Sequence, residues 1–199
     1  MNLLELDRQV FLLINNFAGQ NSFIDNLSHV AVNEYFVPTI LSLLLFFTWF
    51  YWKSEKERDL KQRSVVMAVF AIGFGSLVIV SILNNIFERP RPFEVLDVNL
   101  LFYKPTDPSF PSNSSVVAFA LASSIFLGDK KLGLAALFIA GFYGILRIFV
   151  GVHFPLDIIA GALIGVISVG IVNLFPDFLM RIVNYLRNVL KMLNLEEFT

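Results

Sequence analysis

Cysteine is missing from all 199 residues, so the fold uses neither disulfides nor thiolate metal ligands. Histidine is scarce: the 2 in the chain are His29 and His153. Beyond His153 and Asp157, no histidines and carboxylates stand at ligand spacing, and neither a metal nor another cofactor is expected. Charge of one sign is not in excess either. The formal net charge is −1, whereas a nucleic-acid binder needs a clustered basic face. A cleavable signal peptide is not expected, because the opening MNLLELDRQVF is acidic and interrupted rather than basic and then apolar.

Apolar surface is what the chain has in abundance. Hydrophobic residues make up 56% of it, 22 of them Phe, and the mean hydropathy is +0.71. Soluble domains are less apolar and more charged, so an all-α, polytopic membrane helix bundle is expected. Uncharged runs cover 35–52, 64–87, 108–128, 132–146 and 158–176. A span needs roughly 20 apolar residues, so each of these five runs is expected to cross the bilayer. Trp49, Tyr51 and Trp52 close the first run like an interfacial belt. Residues 3–17 are apolar but carry Glu5, Asp7 and Arg8; they form either a short first span or a helix lying in the interface. Residues 22–32 read as an interfacial helix. Residues from about 177 to 195 read as an amphipathic C-terminal helix with Arg181, Arg187 and Lys191. Gly161 and Gly165 make a small-xxx-small pattern that lets helices approach closely.

Loop charges orient the bundle. The loop 53–63, the turn at Lys130 and Lys131, and the C-terminal helix are basic, hence cytoplasmic by the positive-inside rule. Residues 88–111 and 151–155 then lie on the opposite, extracytoplasmic face. Three polar clusters converge there: Asn84 to Pro92, with Arg89 and Arg91; Pro111 to Ser115; and Arg147 with His153 and Asp157. Arginines held so close to the membrane are costly and usually functional. Their planar forks match phosphate oxygens. Ser112, Asn113 and Ser114 stand where a loop enters a helix, and a helix start offers free N–H groups to an anion. His153 and Asp157 are four apart. The aspartate can hold one ring nitrogen and leave the other free to attack phosphorus.

At these residues the chain resembles the type 2 phosphatidic acid phosphatase superfamily of membrane lipid phosphatases, over about 64–175. The family pattern is Lys-x6-Arg-Pro, Pro-Ser-Gly-His and Ser-Arg-x5-His-x3-Asp. Arg147, His153 and Asp157 reproduce the third motif, with Leu146 at its serine. Arg91 and Pro92 match the first motif, whose lysine position falls on Asn84. Pro111 and Ser112 match the second, with Asn113 and Ser114 in place of Gly and His. The resemblance implies a single membrane-embedded domain over 1–199 with about six spans, counting 3–17 as the first. It implies that His153 is the nucleophile, Asp157 its orienting partner, and that Arg91 and Arg147 bind phosphate with Ser112 and the following N–H groups. Arg89, Asn113, Ser114 and Asn84 are further candidates for substrate contact. The family's leaving-group acid is lost at Ser114, and His29 is only a weak candidate to replace it.

The substrate expected from this reading is a membrane lipid phosphate. A diphosphate such as undecaprenyl diphosphate is favoured, because a phosphate leaving group needs less help from an acid. A lipid monophosphate is the second choice. The alternative from another class is a lipid-phosphate binder or transport protein that kept the cradle and lost turnover.

Overall fold

The structure is a computed structural model that describes residues 2–195. The described residues form helices and connecting loops. They comprise α1 (Leu3–Asn15), α2 (Ser22–Ala31), α3 (Phe36–Phe50), α4 (Glu55–Ile72), a wide π-helical stretch (Gly73–Val80), α5 (Ser81–Phe87), α6 (Pro92–Val95), α7 (Asn113–Gly128), α8 (Lys130–Phe149), α9 (Pro155–Asn173) and α10 (Pro176–Met192).

Three stretches are long and apolar enough to cross a membrane: Glu55–Val95, Lys130–Phe149 and Pro155–Asn173. The α2–α3 pair, bent by 53°, makes a fourth if it is one span. α7 is a shorter apolar helix of 16 residues. By this measure the expected count of about six is not reached.

α1 differs most from a span. Its 13 residues reach only about 20 Å at roughly 1.5 Å per residue, short of a hydrocarbon core of about 30 Å. Both its halves touch the same end of the bundle. Asp7 meets Leu156 and Arg89, Phe11 packs on Phe154, and Asn15 bonds to the backbone of Asn99 and Phe149. The helix therefore lies across that end, the interfacial alternative of the two expected for residues 3–17.

The basic stretch 53–63 is helix rather than loop from Glu55 onward. The Ser54 hydroxyl accepts from the Glu57 N–H at 3.3 Å and starts α4. Lys61, one turn on, ion-pairs with Glu57 at 2.7 Å and with Asp129 at 3.3 Å. Arg187 of α10 reaches Asp59 at 2.5 Å. These charges gather at one end of the bundle, and the starts of α7 and α9 stand at the other.

α7 is the central helix, packed against α8, α9, α4 and α3. One core joins α3, α4, α7 and α8 around Leu41, Leu121, Ile125 and Tyr143. A second joins α4, α9 and α10 around Met67, Val169 and Leu179. The α7–α9 contact depends on glycine. A Cβ on Gly161 would stand 2.4 Å from the Ser112 carbonyl oxygen, and one on Gly165 would stand 2.6 Å from that of Val116. This close approach, expected from the spacing, brings the start of α7 against the first turns of α9.

Candidate active site

Four segments meet at the α7 and α9 starts. α8 delivers Arg147 near its C-terminal end. The turn after it, in which Gly151 has a φ of +89°, carries the chain into His153. Phe154 precedes α9 with extended backbone, Pro155 occupies the first helical position, and Asp157 accepts from the Phe154 N–H at 2.8 Å. That side-chain cap explains why Asp157 is fixed: it closes the first turn of α9. Arg91 enters from the loop before α6.

Arg91, Arg147 and His153 are each 2% exposed and Asp157 is fully buried. The Arg91 Nη1 and Arg147 Nη2 atoms both lie 3.3 Å from His153 Nε2. Arg91 is held by the Asp107 carboxylate at 2.9 Å, the Asp107 carbonyl at 2.8 Å and the Val152 carbonyl at 2.9 Å. Arg147 donates to the Val32 carbonyl at 3.3 Å and lies 5.5 Å from the Phe102 ring centre.

The neighbours fix the imidazole tautomer. Nδ1 faces the Ser109 carbonyl at 3.0 Å. A carbonyl can only accept, so Nδ1 carries the proton. Nε2 faces guanidinium groups, which can only donate, so it keeps its lone pair. Burial pushes the His153 pKa down to about 4; Asp157 opposes this, and Arg147 and Arg91 add to the fall. His153 is thus neutral near pH 7, with Nε2 facing two cations.

Asp157 stands further from this ring than its spacing suggests. Its Oδ2 is 3.8 Å from Nδ1, beyond hydrogen-bond range. The same oxygen accepts from the Ser109 hydroxyl at 2.6 Å. Ser109 therefore sits between the two, a role that the sequence reading missed. It is one of several serines in a loop, and no fixed spacing ties it to His153.

Above the histidine opens a cavity of about 420 Å³, lined by Arg91, Arg147, His153, Asn113, Ser114 and the loop Tyr103–Asp107, with Glu34 at its edge. The Tyr103 hydroxyl donates to Glu34. Lys104 also lines the cavity and adds a third cation.

Five of the expected residues line this cavity: Arg91, Arg147, His153, Asn113 and Ser114. Four do not. Asp157 lies behind the histidine and is fully buried. Ser112 is fully buried; its hydroxyl caps α7 by accepting from the Ser115 N–H at 3.4 Å, and it contacts the Ser114 hydroxyl at 3.1 Å. Arg89 is occupied elsewhere, bonded to Asp157 at 2.6 Å and to Asp7 at 2.5 Å. Its fork is spent on two carboxylates and does not face the cavity. Asn84 lies within α5, a turn short of the helix end at Glu88. His29 stands edge-on to Phe102, with ring centres 6.0 Å apart, and does not reach the cavity.

This constellation can be set beside known proteins. The profile described as the PAP2 superfamily matches residues 63–181. The bacitracin transport permease protein BcrC of Bacillus licheniformis is 31% identical, over 84% of this chain and 79% of its own length. The undecaprenyl-diphosphatase BcrC of Bacillus subtilis is 24% identical, over 90% and 89%. The crystal structure of Aquifex aeolicus LpxE superposes with a TM-score of 0.68 at 34% identity, covering 85% of this chain and 96% of that one. With the match spanning more than half its length, the chain belongs to the PAP2 superfamily, as a multi-pass membrane lipid phosphatase.

Proposed function

We propose that this protein removes the terminal phosphate of a lipid diphosphate of the undecaprenyl type through a phosphohistidine at His153. One observation carries the reading: His153 lines the cavity, and its Nε2 stands 3.3 Å from the terminal nitrogens of both Arg91 and Arg147. A phosphoryl group placed there would meet a neutral nucleophile and two guanidinium forks together.

In the first step Nε2 gives its lone pair to the terminal phosphorus, and the bond from that phosphorus to the bridging oxygen breaks. The lipid monophosphate leaves with the electron pair. In the second step water attacks the phosphorus, the P–N bond breaks, and inorganic phosphate and neutral His153 are regenerated. Arg91, Arg147 and Lys104 balance the charge of the diphosphate. Asn113 and Ser114 are the nearest polar groups for its oxygens. Ser114 cannot protonate a poor alkoxide leaving group, since its hydroxyl gives up a proton far too reluctantly. The phosphate leaving group of a diphosphate makes little demand for such an acid. The cavity opens on the extracytoplasmic side, a placement supported by the basic residues Lys53–Arg63 and Arg187 at the other end.

The test is phosphate release in detergent micelles from undecaprenyl diphosphate and from phosphatidic acid, by this chain and by His153→Ala. Faster release from the diphosphate, abolished by the substitution, is expected. Faster release from the monoester would refute the preference. A second reading, a binder or transporter of lipid phosphates, is favoured by Ser114 and by the transport permease among the relatives. Binding of undecaprenyl diphosphate with no phosphate release would establish that reading instead.

A further inference from the structure

Asp7 lies on α1, outside residues 63–181 that match the family profile. An aspartate is seldom buried without a specific partner, yet this one is 4% exposed. Both of its oxygens are engaged. Oδ1 accepts from the Leu156 N–H at 2.8 Å, and Oδ2 accepts from Arg89 Nη2 at 2.5 Å. The other terminal nitrogen of Arg89 donates to Asp157 Oδ1 at 2.6 Å. Asp157 Oδ2 takes the Ser109 hydroxyl, and the Ser109 carbonyl takes the His153 Nδ1–H. A continuous polar chain thus runs from α1 to the back of the imidazole. The Arg89 guanidinium is also seated 4.3 Å from the Phe154 ring centre, which restricts its plane.

We propose that Asp7 is a positioning residue for His153, acting through Arg89 and Asp157. One guanidinium is shared between two buried carboxylates. Were Asp7 uncharged, Arg89 would turn both terminal nitrogens toward Asp157, its remaining carboxylate partner. Asp157 would then yield its contact with Ser109, and the carbonyl that holds Nδ1–H would lose its fixed place. Arg91 and Arg147 share no contact with Asp7, so the phosphate cradle survives. The loss therefore falls on turnover rather than on binding.

The inference rests on His153 being the nucleophile, and the experiment separates the two ideas. Asp7→Asn keeps an acceptor for the Leu156 N–H and removes the charge. Asp7→Asn, Arg89→Gln, the double variant and His153→Ala are assayed for phosphate release from undecaprenyl diphosphate in micelles. Thermal unfolding is followed for each. Asp7→Asn is expected to lower kcat by about 10- to 100-fold, the scale of a small misplacement of a reacting group. KM should stay within about twofold. Adding Asp7→Asn to Arg89→Gln should cost nothing further. An unchanged kcat, a rise in KM alone, or additive losses would overturn the proposal. Should Asp7→Asn fail to fold, Arg89→Gln must still lose kcat without KM, or the proposal fails. If His153→Ala retains full activity, the nucleophile assignment falls, whatever Asp7 does.

Discussion

Acidification is the most revealing perturbation, because the site holds its histidine far from the ordinary value. His153 titrates at about 4 instead of 6.5, chiefly through burial. At pH 5 an ordinary histidine would be only about 3% neutral, whereas a group titrating near 4 is about 90% neutral, a gap of roughly 30-fold in competent enzyme. The kcat/KM for phosphate release should therefore show no loss attributable to His153 between pH 8 and pH 5. The assay is phosphate release at substrate far below KM, in micelles whose charge does not change over that range. A profile falling with a midpoint near 6.5 would refute the reasoning, for it would mean that Nε2 is open to water. The sign for stability is fixed by the same shift. The unfolded chain takes up the proton first, so folded stability falls as pH drops below 6.5. The slope approaches about 1.4 kcal/mol per pH unit until the folded value is reached.

Further expectations concern single side chains. Arg147→Lys replaces a fork by a point charge that cannot serve both the Val32 carbonyl and a phosphoryl oxygen; kcat/KM should fall by about 10²-fold or more, and a change under threefold would contradict the role of that fork. Ser114→His places an imidazole on the cavity wall and should raise release from phosphatidic acid by up to about 10²-fold, with less effect on the diphosphate; equal gains on both would remove the leaving-group argument. Gly161→Ala sets a methyl 2.4 Å from the Ser112 carbonyl. The α7 start must then shift, and thermal unfolding should drop by several degrees with activity lost alongside; an unaltered midpoint would show that α7 and α9 slide freely.

The proximity of three residues could be read from spacing alone. Arg147, His153 and Asp157 lie within eleven consecutive residues, and the end of one helix and the start of the next fix their relation. The uncharged runs placed α3, α7, α8 and α9 within a few residues of where they lie. Contacts between distant segments could not be read in this way. Arg89 reads as a further candidate for substrate contact because nothing near it in sequence shows that Asp7 and Asp157 already hold its fork. Ser112 looked available, but the free N–H at the start of α7 claims its hydroxyl. The charges of 53–63 suggested a loop, while Ser54 and the Glu57–Lys61 pair begin a helix there. In each case the missing information was a partner, not a propensity.

The helix that crosses the site end bears on how this protein can be cut and handled. Asp7 and Asn15 clip that helix to Leu156, Asn99 and Phe149, so anything grafted onto the first turns sits at the His153 end of the bundle, while the far tip of α10 is remote from it. A trimmed fragment holding only residues 63–181 would keep every signature side chain and still lose Asp7, the far anchor of the polar chain behind its imidazole.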